Sequence, residues 1–459
     1  MTARSYCCPS YCVVGGGISG LTAAYRLRAA ADRAGDDATI TLFEPADRLG
    51  GVLRTERVGG QAMDVGAEAF VLRRPEMPAL LAELGLSGRQ LATTGARPLI
   101  YSRRQLHPLP AGTIVGIPSS SASVAGLVDE ATVARIDAEP TRPFSWRPGS
   151  DPAVAELVGD RFGEQVVARS VDPLLSGVYA GSAATIGLRA AAPSVAAALD
   201  RGATSLTDAV VKGLPPNTGA PVFGAIDGGY RVLVDELVAR SRPRWVRAAV
   251  QRIEPAGPGW ALLDDTGARW HADAVVLAIP APRLAALVGE VAPRTSAAAR
   301  RIESASSAVV ALAVPAGTPF PHCSGVLVAS GEPLRAKAIT LSSRKWGTRA
   351  NAQLLRLSFG RFGDDVAAGT ADDELVGWAL SDLVDVFGLT VDPVDARVQR
   401  WIEAMPQYGP GHADVVAEVR AGLPPGLAVA GSYLDGIGVP ACVGAAGRAV
   451  EALRAEVAR

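Results

Sequence analysis

The chain has 459 residues, 48% of them hydrophobic, and a formal net charge of −1. That is apolar material enough for two or three domains, and the near-neutral balance excludes a nucleic-acid or acidic-surface partner. The longest stretch free of formal charge, Gln105 to Val128, is rich in proline and serine and is no membrane span.

The basic residues are almost all arginine, with lysine only at 212, 337 and 345. Together with abundant alanine, glycine and proline, this points to a GC-rich coding genome of the actinobacterial kind. The opening "MTARSYCCPS" lacks the apolar core of a secretory signal. The five cysteines, at 7, 8, 12, 323 and 442, are odd in number and crowded at the front. They make a poor disulfide framework, and the reducing cytosol is the expected compartment. The histidines at 107, 271, 322 and 412 are scattered and pair with no cysteine at ligand spacing, so no metal site is expected. Pro9 would interrupt a strand, so residues 1–10 read as a leader and the first strand starts near Tyr11.

"YCVVGGGISGLTAAYRL" then places Gly15, Gly16, Gly17, Ile18, Ser19 and Gly20 between a β-rich run and a helical pattern of Leu21, Ala24, Tyr25 and Leu27. This is the context a dinucleotide turn requires. Gly15 permits the turn, Gly17 lets the backbone approach a pyrophosphate, and Gly20 allows close helix–strand packing. A second strand, "ATITLFEP", ends in Glu44, 24 residues beyond Gly20, where an acid accepts hydrogen bonds from ribose hydroxyls. The unit alone leaves NAD and FAD both open. The Gly50-Gly51 doublet after Arg48, and Asp64, Gly66 and Glu68 in "GQAMDVGAEAF", suit a close approach of backbone to a bulky flat ligand. That front resembles the FAD-binding part of the flavin amine oxidase and protoporphyrinogen oxidase superfamily.

Residues 75–90 and 150–200 read as helical, and 105–125 as a Pro/Ser-rich loop. "RWVRAAVQRIEPAGPGWALLDDTGARWHADAVVLAIP" predicts a strand, a hairpin and a buried parallel strand in "ADAVVLAIP", Ala272 to Pro280, with the proline as its break. Between 305 and 360 lie three β-like runs, "SSAVVALAVP", "AKAITLSS" and "LLRLSFG". "RWIEAMPQYGPGH" carries Trp401 and a Pro-Gln-Tyr turn. "GLAVAGSYLDGIGVPACVGAAGRAVEAL" gives a short strand, a break at Gly431-Ser432 and a helix from about Ala441.

Taken together, "VVGGGISGL", "RLGG", "DVGAEAF", "MPQYGPGH" and "GSYLDGIGVPACVGAAGRA" resemble the FAD-dependent porphyrinogen oxidases of haem biosynthesis. The motifs run from residue 13 to about 450. The resemblance implies an α/β fold: a Rossmann-like FAD-binding domain (11–95, 220–282 and 420–459), a helical domain (96–219) and a mixed-sheet substrate domain (283–419). It implies non-covalent FAD held by Gly15 to Gly20, Glu44, Pro45, Val52, Gly66, Ala67, Glu68, Ala69, Val250, Trp401, Ile437, Gly438 and Val439, with Cys442 a packed helix residue. The substrates it implies are a porphyrinogen and dioxygen, with hydrogen peroxide as by-product. Contact with the membrane is at most peripheral, and haem-pathway proteins are transient partners.

No constellation of catalytic side chains stands out. This suits a reaction in which hydride leaves a meso carbon and the positive charge spreads over two pyrroles. Arg73 and Arg74 follow "AEAF" and carry the fork that matches a carboxylate, so a substrate propionate and a solvated loop are both open readings for them. Tyr408 has two as well, pocket lining or a structural turn. Coproporphyrinogen III is the expected substrate, with protoporphyrinogen IX the alternative, because the coproporphyrinogen route belongs largely to Gram-positive bacteria. A flavin amine oxidase of other specificity is disfavoured because "GSYLDGIGVPAC" lacks the aromatic pair that would cage an amine.

Overall fold

The computed structural model describes residues 9–216, 218–348 and 350–457. Its centre is a five-stranded parallel sheet assembled from distant parts of the chain. In spatial order the strands are Arg244–Val246, Thr39–Phe43, Ser10–Val14, Ala274–Leu277 and Leu427–Val429. Val14 stands level with Phe43 on one side and Leu277 on the other. Both faces of this sheet are covered, which is why the strands read as unbroken apolar runs. Val13, Leu42 and Val276 point into a core shared with helices Ile18–Ala34, Tyr230–Ser241 and Val439–Val457. The alternate residues Cys12, Val14, Phe43, Val275 and Leu277 pack beneath the antiparallel meander Val250–Ala256, Gly259–Asp264 and Arg269–Ala272.

A second, seven-stranded mixed sheet runs in the order Asp395–Pro406, Ser304–Pro315, Ala352–Phe359, Ala338–Thr340, Gly325–Val328, Leu99–Ser102 and Gln105–Pro108. The pleat sorts its residues. Leu355, Leu357 and Phe359 bury against helix Asp372–Phe387, whereas Ala311, Ala313 and Leu354 face the hairpin Thr55–Val58/Gln61–Asp64 of the first unit. Helices between 130 and 213 form a third core around Val158, Phe162, Leu175 and Leu199. Inside it Arg161 donates to Glu139 at 2.9 Å with both side chains out of water. Glu139 also accepts from the Leu206 and Thr207 amides and the Thr207 hydroxyl. Burial pushes its carboxyl up, and these donors outweigh burial and hold it below the usual range.

The glycine-turn unit, the parallel strand before Pro280 and the three β-runs of 305–360 stand where they were expected. The first strand begins at Ser10, pinned by the Asp273 carboxylate at 2.7 Å. Residues 1–8, with Cys7 and Cys8, lie outside the described residues. Two expectations need correction. The helix of 75–90 is only Glu76–Glu83; Gly85 then turns left-handed and the chain becomes a strand at Gln90–Ala92. The Pro/Ser-rich loop of 105–125 begins instead as the edge strand Gln105–Pro108, followed by the small ladder Thr113–Ile114/Ile117–Pro118. Its hairpin turn uses Arg103 and Arg104, both at positive φ, and Glu332 accepts their backbone N–H groups. Asn-Gly is the usual pair at such a turn, and a distant carboxylate supplies the stabilisation here.

Candidate active site

Two helix N-termini and two glycine pairs converge at the ends of the parallel strands. Gly15, at φ +107°, leaves the first strand so tightly that a Cβ there would lie 2.3 Å from the Ala278 carbonyl oxygen. One at Gly20 would lie 1.8 Å from the Gly15 oxygen. Helix Ile18–Ala34 starts at Gly17 with no side-chain cap and no acidic residue in its first turn. Its first amides therefore face outward with the positive end of the dipole behind them. Glu44 closes one side of the turn, accepting from the Gly16 amide at 2.9 Å and the Ala46 amide at 3.0 Å.

Gly50 donates to the Gly16 oxygen at 2.8 Å, laying the glycine doublet across the turn. Arg48 buttresses the doublet from behind through the Leu49 and Leu53 carbonyls. Asp64 to Ala67 runs alongside, with the Ala67 amide on the Val52 oxygen at 3.2 Å. Gly66 is forced: a Cβ there would sit 1.9 Å from the Val52 oxygen and 2.9 Å from the Trp401 ring. Trp401 donates from Nε1 to the Val65 oxygen at 2.9 Å, and Arg356 donates from Nη1 to the Asp64 and Gly66 oxygens at 3.1 and 2.8 Å. The large sheet thus grips this loop at two points.

The buried Asp64 carboxylate accepts from Thr55 Oγ1 and the Tyr230 amide, and so caps helix Tyr230–Ser241. Burial is the main influence on it and raises its pKa to about 7. Glu68 goes the other way. Burial raises it, but the ammonium of Lys345, the guanidinium of Arg356 and hydrogen bonds from Lys345 (2.7 Å) and Ser342 (2.6 Å) prevail and hold it at about 2.

The Pro-Gln-Tyr turn joins three parts of the molecule. Gln407 donates from Nε2 to the Tyr179 oxygen at 2.8 Å, and its own amide donates to Glu303 at 2.8 Å. The Tyr408 oxygen accepts from the Gly187 amide at 2.8 Å, and the Tyr408 hydroxyl donates to the Ser432 carbonyl. His412 packs on the Tyr408 ring and bonds the Tyr433 carbonyl at 2.9 Å. This fixes the approach to helix Val439–Val457, where Cys442 is buried and its thiol is pushed up to about 11.

The sequence-derived residues separate into groups. Gly15 to Gly20, Glu44, Val52 and Gly66 to Ala69 adjoin one another, and Trp401 touches that group. Pro45 is exposed just past Glu44, and Val52 is 38% exposed. Val250 opens the meander, paired with Asp264, and Ile437, Gly438 and Val439 lead into the C-terminal helix. Arg73 and Arg74 are exposed, and Arg74 pairs with Glu76 at 3.2 Å. Tyr408 is 4% exposed, with its polar atoms bonded to backbone. Lys337 and Arg356 were given no role from the sequence, and Gln407 only a place in the Pro-Gln-Tyr turn. The available signal for the first two was a cation inside runs otherwise apolar or small, "AKAIT" and "LLRLSFG".

Residues 18–454 match the family model for flavin-containing amine oxidoreductases. The chain belongs to the flavin-containing amine oxidoreductase family. Among family members it is 77% identical over 454 residues to the coproporphyrinogen III oxidase of Mycobacterium tuberculosis, an alignment covering 98% of this chain and 99% of that protein. It is 28% identical over 449 residues to the coproporphyrinogen III oxidase of Bacillus subtilis, covering 94% and 95%. A crystal structure from Exiguobacterium sp. 255-15, described as a candidate protoporphyrinogen oxidase, superposes with a TM-score of 0.87 at 28% identity over 99% of this chain and all of that one. The flavin cofactor of the family fits the site. The uncapped amides of the first helix suit a pyrophosphate, and the Cβ-free cradle at Gly17, where a methyl would meet nothing nearer than 3.9 Å, leaves the ligand its approach.

Proposed function

We propose that this chain is a coproporphyrinogen III oxidase, converting coproporphyrinogen III to coproporphyrin III with dioxygen as acceptor and hydrogen peroxide as by-product. The observation that carries the reading is the 77% identity, across almost the full length of both chains, to a coproporphyrinogen III oxidase. FAD, bound without a covalent link, would supply hydride acceptance and a route for electron pairs to dioxygen.

The protein's part is to position and to shelter. Gly15 to Gly20 hold the pyrophosphate through backbone amides, and Glu44 offers its remaining lone pairs to ribose hydroxyls. Val250 presents its backbone to the adenine. Val52, Gly66 to Ala69, Trp401 and Ile437 to Val439 border the ring system. Tyr408 acts by holding the C-terminal segment in place rather than by touching substrate. On this reading the macrocycle would lie between this floor and the helical segment, where Gly177 and Val178 are exposed on a helix laid over strand Gly325–Val328. Holding a reactive meso carbon at attack distance in a dry cleft replaces any need for a dedicated acid or base at that carbon.

The working division of the chain is an FAD unit (11–95, 220–282, 420–459), a helical unit (96–219) and a substrate unit (283–419). No helix among the described residues is long and apolar enough to cross a membrane, and a cytoplasmic protein with at most peripheral membrane contact and transient haem-pathway partners is the reading we adopt. The test is direct. Purified protein with FAD should turn coproporphyrinogen III into fluorescent coproporphyrin while consuming three dioxygen per macrocycle, since six electrons leave in pairs. No porphyrin formed above the rate in air alone would refute it.

A further inference from the structure

One face of the seven-stranded sheet carries cations that no carboxylate among the described residues pairs directly. In strand Ala352–Phe359, Leu355, Leu357 and Phe359 point into the core under helix Asp372–Phe387, so Arg356 and Ser358 occupy the opposite face, toward the flavin-binding unit. Arg356 spends Nη1 on the Asp64 and Gly66 carbonyls, while its buried Nε has no partner. Beside it Lys337, 4% exposed, donates only to neutral oxygens: Ser307 Oγ at 2.9 Å, the Phe359 carbonyl at 3.2 Å and the Gly360 carbonyl. Past the strand's end comes Arg361, partly buried where the sheet meets the helical segment, since the next amide, Phe362, donates to Ala180 at 2.7 Å. Among the described residues none of these three cations lies within 4.0 Å of a carboxylate oxygen.

The nearby acids are engaged elsewhere. Glu68 is held by Lys345 and Ser342, and Asp64 by Thr55 and the Tyr230 amide. Asp364 accepts from the Arg361 and Val366 amides, and Asp172 from the Ala183 amide and Ser330. Arg361 lies in the field of Asp364 and Asp172, and Arg356 in that of Glu68, but none of these acids forms a direct ion pair with them, and a cation drawn out of water without such a pair is costly. The Lys337 ammonium sits on the Phe359 and Gly360 carbonyls, between Arg356 and Arg361 along the chain; burial and repulsion from Arg361 and Arg356 outweigh the attraction of Asp364 and draw its pKa down to about 7. Arg356 and Arg361 are five residues apart, at most roughly 16 Å of extended chain, comparable with a tetrapyrrole and its side chains.

We propose that Arg356 and Arg361, with Lys337 buried between them, form a cationic strip that binds propionate carboxylates at two edges of the macrocycle and sets the preference for a tetra-acid over a di-acid porphyrinogen. The proposal rests on the porphyrinogen oxidase reading and assigns the residues that read the substrate. The guanidinium forks donate to the carboxylates, while Lys337 acts as a positioning residue that raises the local potential.

The test uses the FAD-loaded enzyme and its Arg361→Gln, Arg361→Lys and Arg356→Gln variants. Arg361 is the cleaner site, because its side chain makes no hydrogen bond among the described residues, whereas Arg356 also anchors the Asp64–Gly66 loop. Arg361→Gln should retain FAD and raise KM for coproporphyrinogen III about tenfold or more, with kcat much less affected. Its efficiency on protoporphyrinogen IX should change by less than about threefold, and Arg361→Lys should recover part of the loss. Arg356→Gln should show the same bias together with weaker flavin retention. Equal losses on both substrates, or no loss on either in Arg361→Gln, would overturn the strip's role while leaving the oxidase reading intact. Wild-type enzyme that oxidises neither porphyrinogen would bring down that reading and the strip with it.

Discussion

Replacing Gly17 by alanine separates the fold from the cofactor. Gly17 has φ −74° and ψ −179°, which alanine adopts without strain, and its new methyl would meet only the Gly51 Cα, at 3.9 Å. The apoprotein should therefore lose nothing. By restricting the unfolded chain the change should even add about 0.4–1 kcal/mol. The ligand is another matter. A methyl in the cradle overpacks the pyrophosphate, and overpacking costs about 1–3 kcal/mol, so FAD should bind roughly 5- to 150-fold more weakly. Gly20→Ala is the contrast, because its Cβ would lie 1.8 Å from the Gly15 oxygen and the helix–strand junction must shift. Titration of apoprotein with FAD, paired with thermal melts of both apo variants, reads the two effects. Native FAD affinity in Gly17→Ala, or an apo form that melts far below wild type, would refute the reasoning.

Four further outcomes follow from particular contacts. Acid or heat should release intact FAD into the supernatant, since Cys442 is buried in its helix with a pKa of about 11; flavin remaining on the denatured chain would count against a non-covalent site. Tyr408→Phe leaves the Ser432 carbonyl without its donor, so it should cost about 1–3 kcal/mol, seen as a lower melting temperature with little change in KM. Glu139→Ala strands Arg161 in the helical core and should cost about 3–5 kcal/mol, visible as an early transition in a urea melt. Glu68 contributes to acid sensitivity: its folded pKa of about 2 lies below the unfolded value, so its contribution is present above about pH 4.3 and lost as pH falls toward 2. The shift corresponds to about 3 kcal/mol, and Glu68→Gln should flatten the stability-versus-pH curve in that window.

The parts of this molecule that repeat a local rule were legible in the sequence. The glycine turn, Glu44 and the buried strand before Pro280 announce themselves because backbone geometry dictates their residues over a few positions. Gly66 was legible as a motif but not as a cause: the Val52 oxygen and the Trp401 ring that exclude a side chain come from elsewhere in the chain. The hairpin at Arg103-Arg104 was hidden for the same reason, its stabilising carboxylate being Glu332. "MPQYGPGH" signalled a family, but only the folded chain shows Gln407 and Tyr408 tying Tyr179, Gly187 and Ser432 together. Arg356 and Lys337 looked like ordinary charges within strands. Their meaning depends on which face the pleat gives them and on nearby acids being engaged by other donors.

The central claim is that the chain acts on the tetra-acid porphyrinogen. Side-by-side kcat/KM values for coproporphyrinogen III and protoporphyrinogen IX, from oxygen uptake and porphyrin fluorescence at saturating FAD, test it most directly. The account predicts at least about a tenfold advantage for coproporphyrinogen III, or roughly 1.4 kcal/mol in transition-state binding, which one charge-assisted hydrogen bond supplies. Equal efficiency on the two, or a preference for protoporphyrinogen IX, would contradict it.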